Sequence, residues 1–269
     1  VDSIRQAIDL AKTGEAKTRG ASSPQPPDAS RSAAHDAALS SIRLDEKRLE
    51  RARIIAYAGG TPQGRYYDML RTQVLQDMDK NGWQFLAVTS PTVGCGKTVT
   101  ACNLALSIAR LPERSAMLVD LDMHKPMVAN YLGLGAGSGL LEVLEDRATL
   151  ASAVVQAQFG PNQLVVLPGA QAASTSSEWM ASQTMATLLQ ALKREFRSRV
   201  VIFDLPPMLV GDDVISVLPR MDAVLLVAGV GTTSLADIRE CQKHLQRTRV
   251  VRVVANKVTE KTSNYYGYY

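Results

Sequence analysis

The chain has 269 residues, 46% of them hydrophobic and 5% aromatic, which suits one large α/β domain with tails. A net charge of +4 permits weak attraction to an anionic membrane or nucleic acid, but no dense basic block demands either. Cys95, Cys102 and Cys241 form neither a disulfide framework nor a metal-ligand spacing. No apolar run reaches the ~18 residues of a membrane span, and Val1-Asp2-Ser3-Ile4-Arg5 lacks a signal-peptide core. A cytoplasmic protein is expected, with membrane association only through a partner or a peripheral contact.

Val1, Ile4, Ile8 and Ala11 recur at helical spacing and predict a short amphipathic helix over 1–14, ended by Gly14. It either packs on its own domain or docks a partner. Residues 15–40, with Ser22-Ser23-Pro24-Gln25-Pro26-Pro27, have the composition of a disordered linker. Residues 41–82 read as a helical extension. In it, Ser41–Arg53 is charged and extended or helical on the surface, and Gly64–Asp79 is a helix with Met69, Leu70, Val74 and Met78 on its apolar side.

Over 83–260 short Val/Leu/Ile-rich strands alternate with helices. The strands are expected at Gln84–Thr89, Ala116–Asp120, Gln163–Leu167, Val200–Asp204, Ala223–Ala228 and Val250–Ala255. Continuous apolar runs of this kind belong to parallel strands covered on both faces. The fold class is therefore α/β, doubly wound and mainly parallel, with ligands at the carboxyl ends of the strands.

Ser90-Pro91-Thr92-Val93-Gly94-Cys95-Gly96-Lys97-Thr98 joins the first of these strands to the helix beginning at Val99. Strand, Gly-rich loop ending in Gly-Lys-Thr, helix is the order of a phosphate-binding P-loop. Loop amides and the helix N-terminus cradle phosphate oxygens. Lys97 reaches the β- and γ-phosphates and the Thr98 hydroxyl holds Mg2+. The ATP-binding set is Gly94, Cys95, Gly96, Lys97, Thr98 and Val99, with Pro91 standing where the strict pattern has Gly. Cys95, beside a helix N-terminus and a lysine, is either a small tolerated spacer or a thiol of lowered pKa that makes nucleotide binding sensitive to oxidation.

Two further strands end in carboxylates: Asp120 and Asp122 after Met117-Leu118-Val119, and Asp204 before Leu205-Pro206-Pro207. Strand-end Asp in a P-loop enzyme binds Mg2+ directly or through water, and a second carboxylate can take a proton from an attacking hydroxyl. Thr98, Asp120 and Asp204 are the expected metal set. Asp212 or Asp213 is expected to cap the helix beginning near Val214. Asn256-Lys257 ends the last strand as a base reader. Thr259 stands where a guanine reader carries Asp, so ATP is favoured over GTP.

These residues resemble the bacterial tyrosine kinases (BY-kinases) of exopolysaccharide synthesis, in the form without a fused membrane domain. The likeness is carried by Tyr67 to Gln73, Thr89 to Asn103, Asp120-Leu121-Asp122-Met123-His124-Lys125-Pro126, Val166 to Ala170, Ser177-Glu178, Asp204-Leu205-Pro206-Pro207 and Asn256-Lys257-Val258. Each part is shared with the Min and Par type ATPases, whose fold is thereby implied. Those enzymes carry a signature Lys where this chain has Thr92.

The tail 261–269 ends Tyr265-Tyr266-Gly267-Tyr268-Tyr269. The resemblance makes Tyr265, Tyr266, Tyr268 and Tyr269 the phosphoacceptors, with Lys97, Asp120, Asp122 and Asp204 catalytic and Asp122 orienting or deprotonating the incoming tyrosine. It also implies an oligomerisation helix bearing Arg65, Asp68 and Arg71, a membrane co-polymerase-type adaptor, self-association, a tyrosine phosphatase and no nucleic acid as partner. The family has Glu at Cys95, two Arg at His124 and Lys125, and Glu-Arg-Arg at the three helix positions. A nucleotide-switched assembly ATPase of the Min/Par type, without kinase activity, is the alternative.

Overall fold

The computed structural model describes residues 39–169, 172–173, 175–246 and 248–259, and only the backbone of Val251. The predicted 1–14 helix, most of the linker and the tyrosine tail lie outside the described residues.

The six expected strands are contiguous in one eight-stranded sheet: β2 (Phe85–Thr89), β3 (Ala116–Asp120), β5 (Asn162–Leu167), β6 (Val200–Asp204), β7 (Ala223–Gly229) and β8 (Arg249–Asn256). Two further strands, β1 (Ser40–Arg43) and β4 (Val155–Phe159), complete the order β1-β4-β5-β3-β6-β2-β7-β8. All neighbours pair in parallel except β4 and β5, which form an antiparallel hairpin. β2 lies between β6 and β7, so the loop after it opens at the middle of the sheet. β1 begins at Ser40, within the span expected to be linker. The 41–82 extension is therefore part of the sheet as well as of its helical cover. β1 is short and polar because only one neighbour pairs with it, at an edge.

Side chains alternate across each strand, and two buried layers result. Phe85, Ala87, Met117, Val119, Val201 and Phe203 face one layer. Leu86, Val88, Leu118, Val166, Ile202 and Leu225 face the other. The second layer is covered by α1 (Glu46–Arg51), α2 (Gly64–Asn81), α3 (Lys97–Ala109) and α4 (Val128–Leu132). The first is covered by α5 (Leu140–Leu144), α7 (Ser176–Ala181), α8 (Gln183–Glu195), α9 (Asp213–Val217) and α10 (Leu235–His244), with α6 (Leu150–Ala153) leading into β4. α3 is buried along almost its whole length, as its Ala- and Leu-rich sequence predicts. Among the described residues no helix is long and apolar enough to cross a membrane.

Candidate active site

The loop between β2 and α3 turns on two glycines with left-handed backbone, Gly94 (φ 77°) and Gly96 (φ 89°). A Cβ at Gly96 would lie 2.2 Å from Asn256 Nδ2, so backbone conformation and contact both demand glycine there. That Asn256 amide donates to Cys95 O at 2.9 Å and ties the end of β8 to the loop. The loop's other edge is zipped to the segment after β6: Leu205 N donates to Val88 O, Met208 N to Ser90 O and Leu209 N to Pro91 O, at 2.8–3.1 Å. Pro91 fits because its position offers a carbonyl to this zipper and does not have left-handed backbone.

The strand-end residues meet where α3 begins. Lys97 Nζ lies 2.7 Å from Asp122 Oδ2, 3.5 Å from Asp204 Oδ1 and 3.3 Å from Thr98 Oγ1. Burial works against the Lys97 ammonium, but the carboxylates of Asp204 and Asp122 outweigh it and hold its pKa above the usual lysine value. Asp204 sits at the other extreme: burial lifts its pKa, with Lys97 and the Thr98 hydroxyl pulling it back. Burial, reinforced by the Asp204 carboxylate, raises Asp120 well above the carboxylate range.

The three carboxylates are spent differently. Asp120 Oδ2 accepts from Met127 N (3.0 Å) and Val128 N (2.9 Å), and its Oδ1 accepts from Asp122 N (3.2 Å). It thus braces the β3–α4 loop and the start of α4. Asp122 gives Oδ2 to Lys97 and Oδ1 to Lys125 N at 3.0 Å. Asp204 Oδ2 alone is buried without a hydrogen-bond partner. An orphaned carboxylate oxygen beside the Thr98 hydroxyl fits a hard, oxygen-seeking cation such as Mg2+. Among the described residues no cluster of three His, Cys, Asp or Glu side chains is placed to hold a metal alone. A cation here would complete its shell with phosphate and water oxygens, as Mg2+ does.

Cys95 is buried, and its thiol pKa is lowered. Burial pushes it up, but hydrogen bonds from Thr233 and Thr92, then backbone contacts with Gly229 and Thr92, prevail. Sγ lies 3.3 Å from Thr233 Oγ1 and 3.2 Å from Thr92 O. A lowered pKa is thus found, with loop contacts in place of Lys97 as its cause.

The loop floors a cleft of about 910 Å³. Gly94, Asn256 and Lys257 line its β8 side; Asp122, His124, Lys125 and Met127 line its β3 side. Arg51, Arg53, Ile55 and Tyr67 close it from the 41–82 segment. That wall is set by Asn103, which sequence reasoning left without a role. Its Oδ1 accepts from Ile55 N (2.7 Å) and Ala56 N (2.9 Å), and its Nδ2 donates to Arg53 O (3.0 Å) and Val99 O (2.8 Å). Arg53 has left-handed backbone (φ 60°) within this clamp.

Arg65, Asp68 and Arg71 do not share one surface. Asp68 pairs with Arg71 (3.1 Å) and Arg110 (3.2 Å) and accepts from Ser107 Oγ (2.6 Å), which binds α2 to α3. Arg65 is exposed, as are Tyr66 and Met69 beside it.

The expectation that Asp212 or Asp213 caps a helix is corrected. Asp212 precedes α9 without a side-chain cap bond. Asp213, 4% exposed, accepts from His124 Nε2 at 3.1 Å and from Ser176 Oγ through its other oxygen. It joins the loops that follow β3, β5 and β6. No local pattern signals this, because its partners lie 89 and 37 residues away.

No family model matches the chain. It is 30% identical over 206 residues to the "Putative tyrosine-protein kinase EpsB" of Ralstonia nicotianae, covering 74% of this chain and 26% of that protein. It is 26% identical over 202 residues to the tyrosine-protein kinase CpsD of Streptococcus pneumoniae, covering 74% of this chain and 86% of that protein. The chain thus spans about a quarter of the first relative and most of the second. Its fold matches the kinase domain of the Escherichia coli tyrosine kinase ETK with a TM-score of 0.68 at 23% identity, over 93% of this chain and 99% of that domain. In sequence and in fold the chain is similar to the bacterial tyrosine kinases, and its mid-sheet P-loop and converging strand-end carboxylates fit that likeness.

Proposed function

We propose that this chain is an ATP-dependent protein tyrosine kinase domain that phosphorylates Tyr265, Tyr266, Tyr268 and Tyr269 of neighbouring copies. The observation that supports it most is the junction of Lys97 with Asp122, Asp204 and Thr98 at the floor of the cleft. Phosphoryl transfer needs little covalent work from a protein and much neutralisation and positioning. The P-loop amides and Lys97 bind and neutralise the β/γ-phosphates. Asp122 holds Lys97 in place and orients the incoming tyrosine. Thr98 and Asp204 would hold Mg2+, with Asp120 assisting through water. The metal would neutralise phosphate charge as it builds during transfer. Asn256 lies on the base side of the loop, and ATP is the nucleotide.

The tail supplies the acceptor. From Asn256 to Tyr269 the chain runs 13 residues, at most about 43–47 Å when extended. That is enough to reach an adjacent molecule. Each phosphotyrosine adds about 1.5–2 negative charges, which would drive a tail away from the acidic strand ends of its neighbour. By family resemblance, the partners are further copies of the chain, a membrane co-polymerase-type adaptor and a tyrosine phosphatase, and the process served is exopolysaccharide polymerisation or export at the inner face of the membrane. Arg65, Asp68 and Arg71 are kept as the contact helix, with Arg65 the exposed member.

The test is incubation with ATP and Mg2+ followed by mass spectrometry of the tail. Phosphotyrosine at positions 265–269 is expected for the wild type and its loss for Lys97→Met. Undiminished tail phosphate in Lys97→Met would sink the proposal. ATP-dependent assembly without any phosphotyrosine would instead favour the nucleotide-switched scaffold.

A further inference from the structure

The phenol that accepts a phosphoryl group must lose a proton, and its ordinary pKa is near 10. Asp122 is poorly placed to take that proton. One of its oxygens is engaged by Lys97 at 2.7 Å and the other by Lys125 N at 3.0 Å. Asp204 and Asp120 are buried behind it and committed to Lys97 and to the loop backbone. His124 is placed differently. It lines the same cleft on the β3 side, its side chain is 49% exposed, and one ring nitrogen already has a fixed partner.

That partner is Asp213. Its carboxylate is 4% exposed, accepts from Ser176 Oγ through Oδ1, and faces His124 Nε2 through Oδ2 at 3.1 Å. A carboxylate only accepts, so the proton of the neutral imidazole sits on Nε2. Nδ1 is thereby left with a lone pair. A buried carboxylate that fixes the tautomer of a half-exposed histidine is the arrangement that makes imidazole a general base. The other charged groups lining the cleft are Lys97 from α3, Asp122 and Lys125 from its own loop, Arg51 and Arg53 from the 41–82 segment and Lys257 after β8.

We propose that His124 is the general base for the acceptor tyrosine, with Asp213 its positioning residue; this rests on the tyrosine kinase reading. The tyrosine oxygen bonds to the γ-phosphorus as the bond from that phosphorus to the bridging oxygen breaks. ADP leaves with the electron pair. The phenolic proton passes to His124 Nδ1, and Asp213 stabilises the imidazolium without taking its Nε2 proton. The wall that selects an acidic hydroxyl is thus separate from the P-loop that holds the nucleotide.

The experiment uses the full chain with ATP and Mg2+ and follows single-turnover phosphotyrosine formation. It compares wild type, His124→Gln, His124→Arg and Asp213→Asn. Fluorescent ADP binding and thermal melting report folding and nucleotide affinity. A positioned base contributes about 10²–10⁴-fold in general, less where the transition state is loose, so a drop of about 10–100-fold is expected in both His124 variants. Asp213→Asn should fall between them and wild type, and nucleotide affinity should stay within about threefold. The acid limb of the wild-type pH–rate profile should vanish in His124→Gln. Full activity in His124→Arg would overturn the proposal, since a guanidinium contributes charge but cannot accept a proton. So would a wild-type rate and pH profile in His124→Gln. A wild-type chain that forms no phosphotyrosine at all would overturn the kinase reading, and this proposal with it.

Discussion

Asp204 is a carboxylate held at 0% exposure with one oxygen unpartnered, opposite Lys97 at 3.5 Å. Its pKa is raised by burial, so the native state binds that proton more tightly than the unfolded chain does. The stability this gives is present below the unfolded carboxylate pKa and is lost as pH rises through the higher native value. At neutral pH the ionised group therefore weighs against the fold. Asp204→Asn should raise the melting temperature of the ligand-free protein by about 2–4 °C at pH 7 and abolish phosphate transfer. The gain should shrink towards zero below about pH 3, where the carboxylate is protonated in the unfolded chain as well. Calorimetry across that range checks the sign, and a lower melting temperature at pH 7 would contradict it. Gly96→Ala acts through backbone instead. It forces left-handed geometry on an alanine, which costs about 1–2 kcal/mol, and drives a methyl into Asn256 Nδ2. Fluorescent-nucleotide titration should register at least a tenfold loss of affinity.

At the scale of elements, legibility in the sequence tracks burial on both faces. β3 and β6 appear with the predicted bounds because Ala116–Asp120 and Val200–Asp204 are covered on both sides and read as continuous apolar runs. β4 alternates Gln with apolar residues and β1 is nearly all polar, since both lie towards one edge, and neither was expected. The P-loop was legible because its chemistry is local. The wall opposite it was not, because Asn103 binds Arg53–Ala56 across some fifty residues of sequence. The same is true of Asp68, whose partners Ser107 and Arg110 lie 39 and 42 residues further along the chain. Asn103→Ala would leave the Ile55 and Ala56 amides without an acceptor. A buried donor stranded in this way costs about 1–3 kcal/mol, and the pair should lower stability by about 2–4 kcal/mol. Hydrogen exchange should speed up first at residues 53–57. Unchanged protection there would mean that the clamp contributes nothing to the wall.

For the molecule as a whole, donor site and acceptor sit at separate places on one chain. β8 brings the backbone to the P-loop side of the cleft, where Asn256 is bound to Cys95 O at 2.9 Å. In the sheet order the acidic end of β6 lies across β7 and β2 from it, and that of β3 lies one strand further. Tail and catalytic floor can therefore be separated genetically without touching either. One variant carries Lys97→Met with the tail intact; the other keeps Lys97 and lacks 261–269. The second ends beyond β8, so the sheet is complete and its melting temperature should match wild type within about 1 °C. Neither should yield tail phosphotyrosine alone. Mixed with ATP and Mg2+, they should restore phosphate to the Lys97→Met tails, at a rate that rises with the concentration of the tail-less partner. If the mixture stays silent while wild type is active, transfer occurs within one chain, and the reach of the 13 residues after Asn256 serves the cleft of the same molecule.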